Sequence, residues 1–216
     1  MKVIVRVLLL AAVILLAYMC YASLLVPIHF NKERKIREAA ITARLIDIRK
    51  AQIEYKNVHK EHAATFEQLA KFLNNEKLPF LTKEGTLTDE QLEAGMTEQE
   101  AVKKGIIRRD TFWVTAKDTL FGPEFNPDEL KFVPNLTNED GSPMTFAMDT
   151  ATLISGSGYT VKVFEAAILY DDYLRGLNRQ LIINLNAVAN TLKKYPGLRV
   201  GSLTEINNNA GNWENL

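Results

Sequence analysis

The side chains best suited to chemistry in this chain are three histidines, one cysteine and scattered carboxylates. His59 and His62 are spaced i, i+3 with Glu61 between them, which would set both imidazoles on one helix face. Two nitrogen ligands could begin a metal site, but the spacing is not His-Glu-x-x-His. The third histidine, His29, lies at the end of an apolar run, and the single cysteine, Cys20, lies inside it. The pair therefore reads as exposed polar residues near a helix end, and no metal site is expected. Gly156-Ser157-Gly158 is too short for a phosphate-cradling loop and has no helix pattern after it, so it reads as a turn. Asp171-Asp172 could supply acid and base, but such pairs are assembled by the fold, and as a sequence they read as surface charge. No nucleophile elbow occurs. These absences lead to the expectation of a protein that is not an enzyme and uses no cofactor or small-molecule substrate. The aromatics Phe112, Trp113, Tyr159 and Phe164 are expected in the core of a sheet.

The elements that hold these residues begin with the N-terminus. From Val7 through Leu16 to Ile28 there are 22 residues without a charge, enough at about 1.5 Å per residue to span a bilayer core of roughly 30 Å. A cleaved signal peptide has a shorter apolar core followed by small residues, whereas Tyr18, Met19 and Tyr21 occupy that region here. A lipoprotein signal at Cys20 would want a small residue where Met19 stands. The expectation is an uncleaved anchor over residues 1–30. Its small residues Ala11, Ala12, Ala17, Ala22 and Ser23 would allow another helix to approach closely in lipid. Lys2 and Arg6 precede the span, and Lys32, Arg34, Lys35 and Arg37 follow it. A short tail is simplest to leave inside, giving an N-in, C-out topology in which the second basic cluster lies at lipid headgroups.

Beyond the span, 24 basic residues face 26 acidic ones, a balance that carries no nucleic-acid footprint. With its only cysteine in the span, the remainder can form no internal disulfide. Residues 31–200 read as an extracytoplasmic domain and 201–216 as an irregular Asn/Gly-rich tail, with Trp213 either pinned to the core or held for a partner.

Residues 32–60 contain no Pro or Gly, and Ile41, Leu45, Ile48, Gln52 and Tyr55 fall at helical spacing. The opposite surface carries Arg44, Asp47, Arg49, Lys50 and Glu54, so this amphipathic helix must bury a narrow stripe. Thr65 to Gln68 has capping-box form and opens a short helix through Leu73. Thr88 to Gln91 and Thr97 to Glu100 repeat the pattern, with Gly105 as a stop. Between Glu84 and Val102 there are six acidic residues and no basic one, a solvated surface. Ile107–Ala116 and Tyr159–Glu165 read as strands, and Met144–Ile154 and Arg179–Leu185 as weaker ones. A helix followed by antiparallel strands predicts an α+β fold, with the long helix packed on a mainly antiparallel sheet.

The segment Leu25-Val26-Pro27, the basic stretch to Arg37, Glu38-Ala39-Ala40, the run Ala43 to Tyr55 and Thr65-Phe66-Glu67-Gln68-Leu69 together resemble type IV pilins and pseudopilins. The resemblance covers about residues 24–70, and this span differs from the family's in having no Gly and no acidic residue. It implies an apolar anchor continuing into a helix that packs on an antiparallel sheet. It further implies a structural or assembly role in a secretion or pilus-like machine of the bacterial envelope. Residues 194–203 and 207–214 resemble uncharacterised single-pass membrane proteins of Bacteroidota, which implies no activity. The partners expected are the lipid bilayer and envelope proteins, copies of this chain included, with no nucleic acid. The location expected is the inner membrane, with the domain in the periplasm. A second reading is an anchored binding module for a peptide, glycan or envelope protein.

Overall fold

The structure is a computed structural model that describes residues 2–214, without the side chains of Lys2, Ala22, residues 80–84, Leu92, Arg109 and Asp110. The expectations for Lys2, for Ala22 in the span and for Glu84 in the acidic stretch therefore lie outside the described side chains. The same holds for residues 1, 215 and 216 of the anchor and tail. The fold is α+β. A helix α1 (Lys2–His59) is followed by α2 (Phe66–Asn75), β1 (Lys77–Glu84), α3 (Asp89–Glu93), α4 (Glu98–Lys103), β2 (Arg108–Thr115) and α5 (Ala116–Leu120). A 3-10 turn at Pro127–Glu129 leads to β3 (Phe132–Thr137), β4 (Pro143–Thr145), β5 (Ala147–Ile154) and β6 (Thr160–Leu169). Then come α6 (Tyr170–Tyr173), α7 (Arg179–Thr191) and β7 (Gly197–Gly201). All strand pairs are antiparallel, in sheets β1-β2, β3-β4 and β5-β6-β7.

Two compact units result: Met1–Ala64 with Leu130–Leu216, and Thr65–Glu129. The stretch 31–200 contributes to both. In the first unit, α1 runs 58 residues without interruption, with Pro27 inside it. Ile41, Leu45, Ile48, Ala51 and Gln52 are all 0% exposed, and α1 lies against β7 and β3. Gln52 is the one polar member of that stripe, and its amide is used at both ends. Nε2 donates to the Ala63 carbonyl at 2.8 Å and Oε1 accepts from the Ala63 amide at 2.9 Å. A buried amide so paired costs little and fixes the chain as it leaves the helix. The exit is made at Lys60, whose φ of 63° ends α1 and turns the chain back.

In the second unit, Thr65 caps α2 by accepting from the Gln68 amide, and Leu69, Ala70, Phe72 and Leu73 are buried. Thr97 and Glu100 form a complete capping box at α4, and Gly105 follows at φ 71°. Thr88 receives only half of such a box, its amide donating to Gln91 Oε1 at 3.1 Å.

Three sequence expectations need correction. Arg179–Leu185 is not a strand but the first half of α7, whose start is capped by Asn178. The β-branched pair Ile182-Ile183 imitates a strand, but burial falls on Ile182 and Ala189, seven residues apart, which is a helical period. Phe112, Trp113 and Tyr159 are 54%, 64% and 74% exposed, and only Phe164 of the four aromatics is in the core. Phe112 and Trp113 sit on the two-stranded β1-β2 ribbon, and Tyr159 borders the β5-β6 hairpin turn, where too few strands exist to cover both faces. His62 is buried, because the chain reverses at Lys60 and carries it inward, away from the face His59 occupies.

Candidate functional site

The apolar segment is the most unusual surface of the molecule. From Val3 to Tyr21 every residue is exposed, and Val7, Leu16 and Ile28 are 60%, 61% and 62% exposed. One helix is long and apolar enough to cross a membrane, and it lies at the N-terminus. The same helix changes character at Phe30, which is buried, and from Ile41 onward its apolar stripe is closed off from solvent. The stripe's last member, Tyr55, is half-buried, with its ring 4.3 Å from that of His59.

Where α1 leaves the apolar segment, it holds an ionic cluster. Glu38 Oε1 accepts from Arg34 Nε and from the Tyr173 hydroxyl, both at 2.7 Å. The Arg34 guanidinium also lies over the Tyr170 ring at 5.8 Å, and Arg37 Nη1 donates to the Tyr173 and Arg175 carbonyls at 2.8 and 3.0 Å. Burial, reinforced by Glu38, raises the Tyr173 phenol far above its ordinary range, so it stays a neutral donor. Burial raises Tyr170 as well. The cluster ties α1 to α6.

Beside it, Glu139, Asp171, Asp172, Arg175, Arg179 and Ile182 line an open cleft of about 470 Å³. Its charges are already matched, with Arg179 on Asp171 at 2.5 Å and Arg175 on Asp172 and Glu139 at 3.7 and 3.8 Å. Asp171 also accepts from the Asn186 amide at 2.9 Å, which ties α6 to α7. The paired aspartates thus serve a structural ion network.

Along β7, an outer strand of the sheet, the tail folds back. Asn212 donates from its side-chain amide to the Gly197 carbonyl at 2.9 Å and accepts from the Arg199 amide at 3.1 Å, so it acts as a strand mimic along β7. Val200 and Gly211 form an isolated antiparallel bridge. Arg199 pairs with Glu165 at 2.9 Å and Glu205 at 3.1 Å and lies over the Tyr195 ring at 5.2 Å. Burial and the nearby Glu165 push the Tyr195 phenol up. Trp213 is half-buried, its ring filling the space where Gly211 has no side chain. Gly201, at φ 72°, would with a Cβ collide with the Phe164 carbonyl.

His62 completes the inventory. It is 6% exposed, its ring centroid is 4.8 Å from that of Phe164, and neither ring nitrogen has a hydrogen-bond partner. Burial, aided by the positive charge of Lys56, lowers its pKa to about 4. Among the described residues no group of three or more His, Cys, Asp or Glu side chains is arranged to hold a metal ion. Sequence reasoning missed the Arg34-Glu38-Tyr173 cluster, whose partners are 135 residues apart. It also missed the Asn212 clamp, although the glycines at 197, 201 and 211 were a visible sign of close backbone approach.

No family model, curated protein or solved structure matches the chain.

Proposed function

We propose that this chain is a membrane-anchored structural or assembly component of a bacterial cell-envelope machine, built on a pseudopilin-like plan, that works by association rather than by chemistry. In this reading residues 1–30 sit in the inner membrane with the N-terminus inside, and the rest of the chain lies in the periplasm. The observation that carries it is the continuity of α1. One helix exposes an apolar segment long enough to cross a bilayer and then, without a break, buries Ile41, Leu45 and Ile48 in a folded unit. The amphipathic half packed on the antiparallel sheet is then the adaptor between bilayer and fold.

The test is chemical crosslinking of intact membranes containing the native chain or a chimera whose residues 7–28 are replaced by poly-Leu. Lateral association predicts a ladder of crosslinked species for the native chain and its loss in the chimera. An unchanged ladder in the chimera rejects a role for the span in assembly.

A second reading, an anchored binding module, is favoured by one observation. Trp113 on β2 is 64% exposed, a large aromatic surface of the kind that stacks on peptides or glycans. It predicts that Trp113→Ala abolishes ligand capture while leaving the crosslinked ladder intact.

A further inference from the structure

The connection between β6 and β7 closes one end of the three-stranded sheet, and α1 identifies which end. Here Leu169 pairs with Gly197, and the Tyr170 amide donates to the Pro196 carbonyl at 2.9 Å. Arg37 of α1 reaches the Tyr173 and Arg175 carbonyls at this same end. The opposite end, the β5-β6 hairpin, lies by the far end of α1, where Lys56 Nζ donates to the Lys162 carbonyl at 3.0 Å and Lys162 pairs with Glu61. Residues 170–196 therefore leave and rejoin the sheet at the level of residues 34–38. Arg34 is only six residues past Ile28, or about 9 Å along the helix axis.

Within this connection, α7 has two apolar stripes. Ile182 and Ala189 are buried. Leu181, Leu185, Val188 and Leu192 follow one another at helical spacings of i, i+4, i+7 and i+11 along the neighbouring face. Leu181 and Leu185 are half-buried, and Val188 and Leu192 are 56% and 59% exposed. Gln180, Asn184 and Thr191 occupy the flank beyond that stripe. At the end of the helix, Lys193 and Lys194 are exposed and, among the described residues, take part in no ion pair, whereas Arg175 and Arg179 are matched by Asp172 and Asp171. On α1, Lys32 and Lys35 are likewise exposed, with Ile36 at 57% between them and Arg37.

We propose that α7 is an interfacial helix that docks on the bilayer α1 enters. Leu181, Leu185, Val188 and Leu192 lie among the lipid headgroups, and Lys193, Lys194, Lys32 and Lys35 sit over anionic phospholipid. Two features select lipid over a protein occupant. The connection that carries α7 leaves and rejoins the sheet at the level of residues 34–38, about 9 Å beyond Ile28 along α1; and Lys32, Lys35, Lys193 and Lys194 outnumber Glu33, the one acidic side chain beside them that takes part in no ion pair among the described residues. The function of α7 is then to fix the pose of the unit on the membrane, giving α1 a second point of attachment. The inference rests on the reading of residues 3–28 as a membrane span.

The experiment uses the full chain with Cys20→Ser and a single cysteine at Leu192→Cys or, as control, at Ile154→Cys on the opposite end of the sheet. Each is labelled with an environment-sensitive fluorophore and reconstituted in vesicles of phosphatidylcholine and phosphatidylglycerol, with and without headgroup-region doxyl lipid. The expected result is a blue-shifted label at residue 192, quenched several-fold more by doxyl lipid than the label at residue 154. A label at 192 as water-exposed as that at 154, in protein that floats with the vesicles, overturns the inference alone. A blue shift without lipid quenching assigns the stripe to a second copy or another protein and also overturns it. Protein that fails to float after an alkaline wash overturns the anchor reading and this inference with it.

Discussion

Replacing His62 with Leu should flatten the acid limb of the protein's stability. The imidazole is buried against Phe164, so protonation would place a charge where desolvation and the nearby Lys56 oppose it more than the backbone of Gln52 and Lys162 favours it. Its pKa falls from 6.5 to about 4, which means that between these values the unfolded chain binds a proton and the folded chain does not. Stability from this group is therefore full above pH 6.5 and is lost as pH falls toward 4. The loss amounts to about 2 kcal/mol between pH 7 and pH 5, and to roughly 3 kcal/mol once both pKa values are passed. Thermal unfolding of the detergent-solubilised full chain, followed by circular dichroism at the two pH values, measures it. The other titrating groups act in both proteins, so the difference isolates residue 62. The wild type should lose about 4–8 °C more than His62→Leu on acidification. Parallel pH profiles would show that the site admits water or a partner on protonation, and would refute the reasoning.

Four further outcomes are expected. Ile48→Asp puts an unpaired carboxylate at a position 0% exposed and should destabilise the fold by about 4 kcal/mol or more, read from chemical denaturation. Gly201→Ala combines a left-handed backbone with a collision at the Phe164 carbonyl, and a loss of about 2 kcal/mol or more should appear in the same assay. Asn212→Ala leaves the Gly197 carbonyl and the Arg199 amide without a side-chain partner, costing about 1–3 kcal/mol, with faster amide hydrogen exchange at residues 199–201. Intact-mass analysis of the membrane-bound chain should find residues 1–30 present; a mature N-terminus at Ser23, or a lipidated Cys20, would count against the anchor.

Local signals were the legible ones. The missing Pro and Gly over residues 32–60 and the stripe Ile41-Leu45-Ile48-Gln52 marked the helix, and Thr65 and Thr97 marked two caps, because capping is a three-residue conversation. The strand from Arg108 to Thr115 was found by its alternation, but not which of its faces would be covered. Burial of Trp113 depends on how many strands and helices lie over the ribbon, and no window of sequence reports that. Arg179–Leu185 failed because its β-branched content outweighed a helical period that needs the full thirteen residues of α7 to declare itself. His62 failed because a single left-handed residue, Lys60, redirects the chain. The Glu38 network was closed to sequence altogether, since it joins elements that only the fold brings together, and the Asn212 clamp left no more trace than the glycines at 197, 201 and 211.

The unbroken passage of α1 from an apolar segment into a folded unit makes it a lever. No turn or linker absorbs rotation between Phe30 and His59, a length of about 44 Å, so a tilt of about 10° in the apolar segment carries the far end through about 8 Å. Tilt is what a helix adjusts when hydrocarbon thickness and apolar length disagree. Under the anchor proposed above, bilayer thickness would thereby be converted into the position of the Gln52–Ala63 joint and the hairpin beside it. Pro27, with no amide to give, lies just before that stretch, and a bend there would absorb the tilt before it reached the folded unit, so the lever works only while the helix stays straight through Pro27.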